Sequence, residues 1–139
     1  MDDLWVMAEA MGLRVVERRG SRAGGYHEGS STVRLNPGLS RRVARSVLAH
    51  EIAHHVLGHV PSPFGLIQSR QERSAMEWAA LRLIDMGAFG EAEEARGGHA
   101  PAMAYDLGVS VELVYAYQQA LVRDGLVGAG RERSLWRAV

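Results

Sequence analysis

Apolar residues recur at helical spacing in three parts of the chain, which predicts amphipathic helices over residues 2–11, 40–57 and 66–86. Ser40 is a suitable N-cap for the second helix, because its hydroxyl can accept a backbone N–H of the first turn. Gly58 stands just past the end of that helix, where a left-handed residue commonly terminates helices. The second and third helices are the largest predicted elements.

Shorter apolar segments between the first two helices predict strands. Leu13–Arg18 comes first and is followed by a glycine-rich turn. Gly25–Glu28 and Thr32–Leu35 then flank Gly29-Ser30-Ser31, and Asn36-Pro37-Gly38 breaks the pattern before the second helix. The sequence therefore predicts a few short strands ahead of two long helices.

The second helix carries the motif His50-Glu51-x-x-His54. Residues four apart on an α-helix lie about 40° apart in projection and about 6 Å apart along the axis. His50 and His54 can therefore bind one Zn²⁺ from successive turns. Glu51 lies about 100° round the helix from His50, which places its carboxylate beside the metal rather than on it. A general base that takes a proton from an attacking water belongs in that position.

Helical periodicity places both histidines on the apolar face of this helix. Val43, Val47, His54 and Leu57 all fall within about 60° of His50. Unpaired imidazoles would be costly on a face that packs into the core, and histidines without a binding role are expected on the opposite face. A bound metal explains the placement of both side chains.

The third helix supplies a candidate third ligand, Glu72. This residue lies at the centre of an apolar stripe, whereas Glu77 lies about 140° away from it. The stripe is formed by Ala75, Met76, Ala79, Leu83 and Met86. A carboxylate in that position needs a partner, which a metal would supply; the alternative is a frayed first turn that leaves Glu72 in solvent. Two histidines and one glutamate form a catalytic zinc set whose fourth position is open to water.

Two further histidines follow the motif and are weaker candidates. His55 and His59 lie about 140° and about 180° round the helix from His50, so neither can join the pair while the helix continues. The metzincin spacing also fails, because Leu57 and Val60 stand where that motif has glycine and histidine. We expect His55 and His59 at the surface or beside the ligands.

The composition narrows the classes of function. The chain has 139 residues, 47% of them hydrophobic, which suits one domain or one domain with an appendage. Its 16 basic and 16 acidic residues cancel, so no net charge favours nucleic acid or a membrane surface. Cysteine is absent, which leaves histidine and carboxylate as metal ligands. Because no signal-peptide pattern or membrane-spanning apolar run is visible, we expect a cytoplasmic location.

With these residues the chain resembles the ImmA/IrrE metallopeptidases, small cytoplasmic zinc proteins of bacteria, phages and integrative elements. The resemblance covers most of the chain and includes the segments GLRVVERR, GGYHEGSSTVRLNPGLS, VLAHEIAHHVLGH and RQERSAMEWAALRLI. It implies an α+β, zincin-like fold in which a small antiparallel sheet lies over two long helices that carry the metal ligands.

The last of these segments resembles the family's Glu-x-x-Ala-(Asn/Asp) pattern. The match implies Glu72 as the third zinc ligand, in agreement with its place on the apolar stripe. Met76 stands where the family has Asn or Asp, so a polar contact to the ligands is missing or comes from elsewhere. His55 and His59 are the candidates for that contact, since such partners orient ligands and tune metal affinity.

Residues 1–97 are predicted to form the metallopeptidase core and residues 98–139 a helix-turn-helix-like tail. The positions that fit helix-turn-helix spacing are Ala104, Gly108, Val109 and Val114, with Ser110 as the cap of the second helix. Residues 124–139 could add a wing.

The second helix of this tail is a poor candidate for recognising DNA. It carries Glu112 and contains no arginine as far as Leu121, whereas phosphate binding needs positive charge. The arginines that could supply that charge nearby are Arg123, Arg131, Arg133 and Arg137. We therefore expect a tail that packs on the core or docks a partner protein, rather than one that binds nucleic acid.

The predicted function is a zinc endopeptidase with His50, His54 and Glu72 as ligands and Glu51 as general base. The candidates for stabilising the oxyanion are Tyr26, His27, His99 and Tyr105. The resemblance implies a protein substrate, a helix-turn-helix repressor of a phage or mobile element. If Thr32–Leu35 lies at the sheet edge beside the metal, an extended substrate could add to it as a strand.

The alternative is a regulatory binding module whose zinc is structural and whose tail binds DNA or a partner. Met76 and the helix-turn-helix spacing favour this alternative. A structural zinc has a closed coordination shell, so His55, His59 or His99 would then be the fourth ligand. A water in that position would favour the enzyme.

Overall fold

The computed structural model describes residues 3–125, which form six helices and one three-stranded sheet. The helices are α1 (Asp3–Ala10), α2 (Arg41–Val56), α3 (Gly65–Leu83), α4 (Met86–Arg96), α5 (Ala100–Leu107) and α6 (Val111–Arg123). The strands are β1 (Arg14–Glu17), β2 (Gly24–His27) and β3 (Thr32–Leu35). This mixture confirms the predicted α+β class and the two long helices, which are α2 and α3.

The sheet has the order β1-β3-β2, with β3 parallel to β1 and antiparallel to β2. Val33 pairs with Val15 on one side and with Tyr26 on the other. The prediction of an antiparallel sheet is therefore wrong for the pairing of β1 with β3, and Thr32–Leu35 does not meet the condition of lying at an edge. β3 takes the centre because its Val33 and Leu35 are buried, whereas β1 and β2 contain no buried side chain.

The motif helix, α2, packs against both the sheet and α3. Ser40 caps it as predicted, since its hydroxyl accepts the Val43 N–H at 3.3 Å. β2 approaches α2 so closely at Gly24 that a Cβ there would collide with Val47. Glycine at this position therefore lets the strand lie against the helical turn that leads into His50.

Helix α3 ends at Leu83, earlier than the predicted Met86. Ile84 is buried but extended, with φ −111° and ψ 122°, so the apolar pattern continues past the point where the helix stops. Asp85 then caps α4, because its carboxylate accepts the Ala88 N–H at 3.0 Å. Met86 is thus the first residue of a separate helix.

The turn between α5 and α6 docks on α2. The Ser110 N–H donates to the hydroxyl of the buried Ser46 at 2.8 Å, and Arg42 donates to the Val109 carbonyl at 2.7 Å. α6 also packs against α3 and α5. Its buried side chains are Leu113, Val114, Tyr117, Ala120 and Leu121. Both helices predicted for the tail are present; α6 packs on α3, and α5 packs on α4 and α6.

The predicted division between residues 97 and 98 falls in the turn between α4 and α5, and it stays a prediction. Ser110 occupies the N-cap position of α6, but its side chain makes no capping hydrogen bond. Most of the predicted wing, with its three arginines, lies in residues 126–139, outside the described part of the chain. No helix within residues 3–125 is long and apolar enough to cross a membrane.

Candidate metal centre

Helices α2 and α3 bring the three predicted ligands to one place. His50 Nε2 lies 3.0 Å from Glu72 Oε1, and His54 Nε2 lies 3.3 Å from Glu72 Oε2. One ligand atom from each side chain lies within 4.8 Å of the others. Two imidazole nitrogens and one carboxylate at this spacing can hold a metal ion, and donors of these types suit Zn²⁺. The residues present therefore fit a metal ion.

Charge is unevenly shared within this group. Hydrogen bonds to His50 and His54 hold the pKa of the Glu72 carboxyl well below its usual range. Burial alone would lower the pKa of His50, but its hydrogen bond to Glu72 and the negative charges of Glu51 and Glu72 raise it. In the metal-free protein the group thus favours an anionic carboxylate paired with a histidine that gains a proton readily.

Glu51 lies beside the group rather than in it. Its side chain is buried, with 7% of the residue exposed, and Oε2 lies 3.8 Å from His50 Nδ1. Burial raises the pKa of the Glu51 carboxyl, although the neighbouring histidines act in the opposite direction. A carboxyl with a raised pKa can accept and release a proton more readily near neutral pH than an ordinary surface glutamate.

The group and Glu51 line a cleft of about 350 Å³. One wall is β2 with the loop before it, and the opposite wall is α3 with the loop that precedes it. The residues contributed by these walls include Arg22, Gly24, Gly25, Tyr26, Val60, Pro61, Gln68 and Gln71. The cleft thus lies between β2 and the candidate metal centre.

Two glutamines of α3, which the sequence analysis did not single out, tie the adjoining loop to the site. Gln68 donates to Glu72 Oε2 at 3.3 Å and accepts the Ser62 N–H at 3.1 Å. Gln71 exchanges two hydrogen bonds of 3.0 Å with the backbone of Val60. The spacing of Gln68 and Glu72, four residues apart on one helix, was the available signal for the first contact.

The two histidines that follow the motif have different partners. His55 Nδ1 lies 2.9 Å from the hydroxyl of Tyr26 on β2. His59 Nδ1 lies 3.0 Å from Nδ1 of His54, and burial followed by the charge of His54 lowers the pKa of His59. Neither is a member of the group around Glu72 that could hold the metal.

The four candidates for oxyanion stabilisation are dispersed. Tyr26 lines the cleft, and its pKa is raised by burial and by Glu28. His27 is hydrogen-bonded to Ser30 in the turn after β2. The other two belong to the tail: His99 precedes α5, and Tyr105 is exposed under the guanidinium of Arg42. Tyr26 is therefore the candidate that the geometry places at the cleft.

A cleft that holds two histidines and a glutamate, with a buried carboxyl beside them, defines a metallopeptidase-like site. The model of the IrrE N-terminal-like domain, a peptidase family, matches residues 8–116. The chain therefore belongs to this family, the ImmA/IrrE metallopeptidases, as its sequence resemblance predicts. No curated protein matches the chain.

Proposed function

We propose that the protein is a zinc-dependent endopeptidase in which His50, His54 and Glu72 bind the metal and Glu51 is the general base. The convergence of these three side chains in a cleft, beside a buried carboxyl, is the observation that carries the proposal. Zinc is a metal that two imidazoles and one carboxylate suit, and a peptidase needs from it only Lewis-acid chemistry, which zinc supplies.

A bound zinc ion would polarise the carbonyl of the scissile peptide and make a nearby water more acidic. The chain's own residues would do the rest. Glu51 accepts a proton from the attacking water and delivers it to the leaving amine, a transfer that its raised pKa assists. Tyr26 is the oxyanion candidate that lines the cleft, and to donate its hydroxyl to the developing oxyanion it would have to release His55 Nδ1, 2.9 Å away.

The substrate segment is proposed to bind along β2. One side of this strand pairs with β3, and no other strand within residues 3–125 pairs with its second side. Gly24, Gly25 and Tyr26 of β2 line the cleft. An extended peptide could therefore add to this edge through main-chain hydrogen bonds, which make few demands on its side chains.

The substrate is proposed to be a cytoplasmic helix-turn-helix repressor of a phage or mobile element, with the protein itself in the same compartment. Main-chain pairing along β2 would provide affinity with little selectivity, so recognition would fall to another surface. The tail from residue 98 onward, docked on α2 and α3, is the surface we assign to it. This assignment predicts narrow specificity.

The alternative of a structural zinc receives less support from the geometry. A structural site is closed by a fourth protein ligand, and a catalytic site keeps that position open. Within the described residues, the group that could hold a metal has three members, and the side chains of His55 and His59 are engaged with Tyr26 and His54. A group of three ligands, rather than four, is what a catalytic site would use, and it supports the enzyme over the structural alternative.

Two measurements test the proposal. The first is the zinc content of the purified protein and of a His50→Ala variant; equal zinc in both would exclude the assigned ligands. The second is cleavage during co-expression with repressors encoded beside its gene. The Glu51→Gln variant should retain zinc and produce no fragments, because the amide cannot accept the proton. Robust digestion of casein that survives deletion of residues 98–139 would contradict the proposed narrow specificity.

A further inference from the structure

A hydrogen bond joins two histidines at the end of α2. Nδ1 of His59 lies 3.0 Å from Nδ1 of His54, with ring centroids 5.1 Å apart and ring planes 61° apart. Nε2 of His54 is the nitrogen turned toward Glu72. We propose that His59 is a positioning residue that fixes the tautomer and the orientation of His54 as a metal ligand.

The backbone after α2 places His59 in this position. Helix α2 ends at Val56, and Gly58 takes a φ of +69°. The Gly58 N–H donates to the His55 carbonyl at 3.2 Å, and the His59 N–H donates to the His54 carbonyl at 2.9 Å. These two bonds form a Schellman motif, in which a left-handed residue reverses the chain. The reversal brings the His59 ring back against the last turn of the helix.

The proton on one ring determines the state of the other. A metal-binding His54 must present a lone pair on Nε2, so a neutral ring carries its proton on Nδ1. That Nδ1–H donates to Nδ1 of His59. Because Nδ1 of His59 is then the acceptor, a neutral His59 carries its own proton on Nε2. His59 therefore stabilises the one neutral tautomer of His54 that can bind metal through Nε2. The same hydrogen bond fixes the orientation of the His54 ring.

Neither of the other two candidate side chains, Met76 and His55, accepts a hydrogen bond from Nδ1 of His54. Met76 lies one turn after Glu72 on α3 and packs against the core, and its thioether is only a weak hydrogen-bond acceptor. His55 is adjacent to His54 in sequence, but its Nδ1 is bonded to the Tyr26 hydroxyl on β2. Of the two histidines that follow the motif, His59 therefore contacts a proposed ligand and His55 does not. Substitution of His55 can serve as the control for substitution of His59.

This inference rests on the proposed metal site, and zinc affinity tests it. Zinc should be titrated into metal-free protein against a chromophoric chelator. His59→Leu removes the acceptor, and we expect zinc binding about 10–100-fold weaker, as is usual when such a partner is lost. His59→Asn should restore most of the affinity, because its side-chain carbonyl oxygen can occupy the place of Nδ1. The control, His55→Leu, should bind zinc as tightly as the unaltered protein.

A spectroscopic signature separates positioning from a general effect on structure. In zinc-loaded protein labelled with ¹⁵N in histidine, we expect a scalar coupling across the hydrogen bond between Nδ1 of His54 and Nδ1 of His59. The coupling should persist in His55→Leu. With Co²⁺ in place of zinc, the visible spectrum of His59→Leu should match that of the unaltered protein, because His59 is not itself a ligand.

The results distinguish a failure of the role proposed for His59 from a failure of the metal site itself. Equal zinc affinity in His59→Leu and the unaltered protein would overturn the role of His59 while leaving the proposed peptidase intact. An altered Co²⁺ spectrum in His59→Leu would overturn it as well, since it would make His59 a direct ligand. Failure of the unaltered protein to bind zinc at all would overturn the metal site and this inference together. Thermal unfolding of each metal-free variant identifies any that fails to fold. If His59→Leu fails to fold, the zinc affinity of His59→Asn is compared with that of the unaltered protein instead.

Discussion

Replacing Ser46 with alanine would measure how firmly the α5–α6 turn is held on the motif helix. Ser46 is 3% exposed, and its hydroxyl accepts the Ser110 N–H at 2.8 Å. Alanine removes the acceptor and leaves that N–H in a half-buried position without its partner. Leaving a donor unsatisfied costs about 1–3 kcal/mol, and because water reaches part of Ser110 we expect about 1–2 kcal/mol.

Thermal unfolding is the appropriate assay for this loss. In a chain of this size, 1 kcal/mol corresponds to a change in Tm of about 4 °C, so the midpoint should fall by about 4–8 °C. The transition should be followed both by far-UV circular dichroism and by tryptophan emission. Ser74→Ala is the matched control, because Ser74 is exposed on α3 and its loss should change stability by less than about 0.5 kcal/mol.

Two results would refute the reasoning. An unchanged midpoint in Ser46→Ala would show that the hydrogen bond to Ser110 does not hold the turn in place. Separate transitions seen by the two probes would show that the tail unfolds independently of α2 and α3, since a single cooperative unit gives coincident transitions. Coincident transitions that shift together would instead establish that α5 and α6 are part of the same folding unit as the candidate metal centre.

Three further predictions follow from the region around the cleft. Gly24→Ala should destabilise the fold by about 1–3 kcal/mol in urea unfolding, because its Cβ would collide with the side chain of Val47 and the carbonyl oxygen of Arg34. In metal-free protein, burial would lower the pKa of His50, but Glu72 raises it above the ordinary value of about 6.5. Protonated His50 therefore contributes stability that is fully present below about pH 6.5. That contribution is lost as the pH rises through the raised pKa. Stability should therefore fall as the pH rises above about 6.5, and His50→Gln should remove that part of the fall. Zinc at 100 times its Kd should stabilise the unaltered protein by about 2.7 kcal/mol and leave the unfolding midpoint of His50→Ala unchanged.

The parts of the site that could be predicted are those governed by spacing along one helix. His50 and His54 share a face of α2 because they are four residues apart, and the Ser40 cap depends on a contact three residues away. Glu72 was identified from the apolar stripe of its own helix together with the family pattern. The histidine pair and the cap need only local geometry, whereas Glu72 rests on the spacing within α3 and on the family pattern.

Strand order could not be predicted in the same way. The three short strands are consecutive in the chain, and an antiparallel meander is the simplest arrangement for them. In the structure β3 lies between the other two, so the pairing of Val33 with Val15 is parallel. This order depends on which strand buries its side chains in the core, as β3 does with Val33 and Leu35, and that is a long-range property that four-residue segments do not encode. The edge available to a substrate consequently belongs to β2.

The residues at which α2 and α3 end explain the remaining differences between the predicted and the observed positions of side chains. Helical projection assigned His59 to the side of α2 opposite His50, but that angle holds only while the helix continues. The helix ends at Val56, and the reversal at Gly58 returns His59 to His54. At the end of α3, Met86 fitted the apolar stripe although Ile84 already leaves the helix.

The contacts that orient the candidate ligands therefore come largely from where helices stop. Gln68 joins Glu72 to the backbone of Ser62, in the same loop that begins with the Gly58 reversal and His59. One loop thus reaches the candidate ligand Glu72 indirectly, through the bond of its backbone to Gln68, and contacts the candidate ligand His54 through the side chain of His59. The helices determine which atoms can meet a metal, and this loop determines how rigidly they are held. Affinity for the metal should accordingly be more sensitive to changes in residues 58–62 than their exposure alone would indicate.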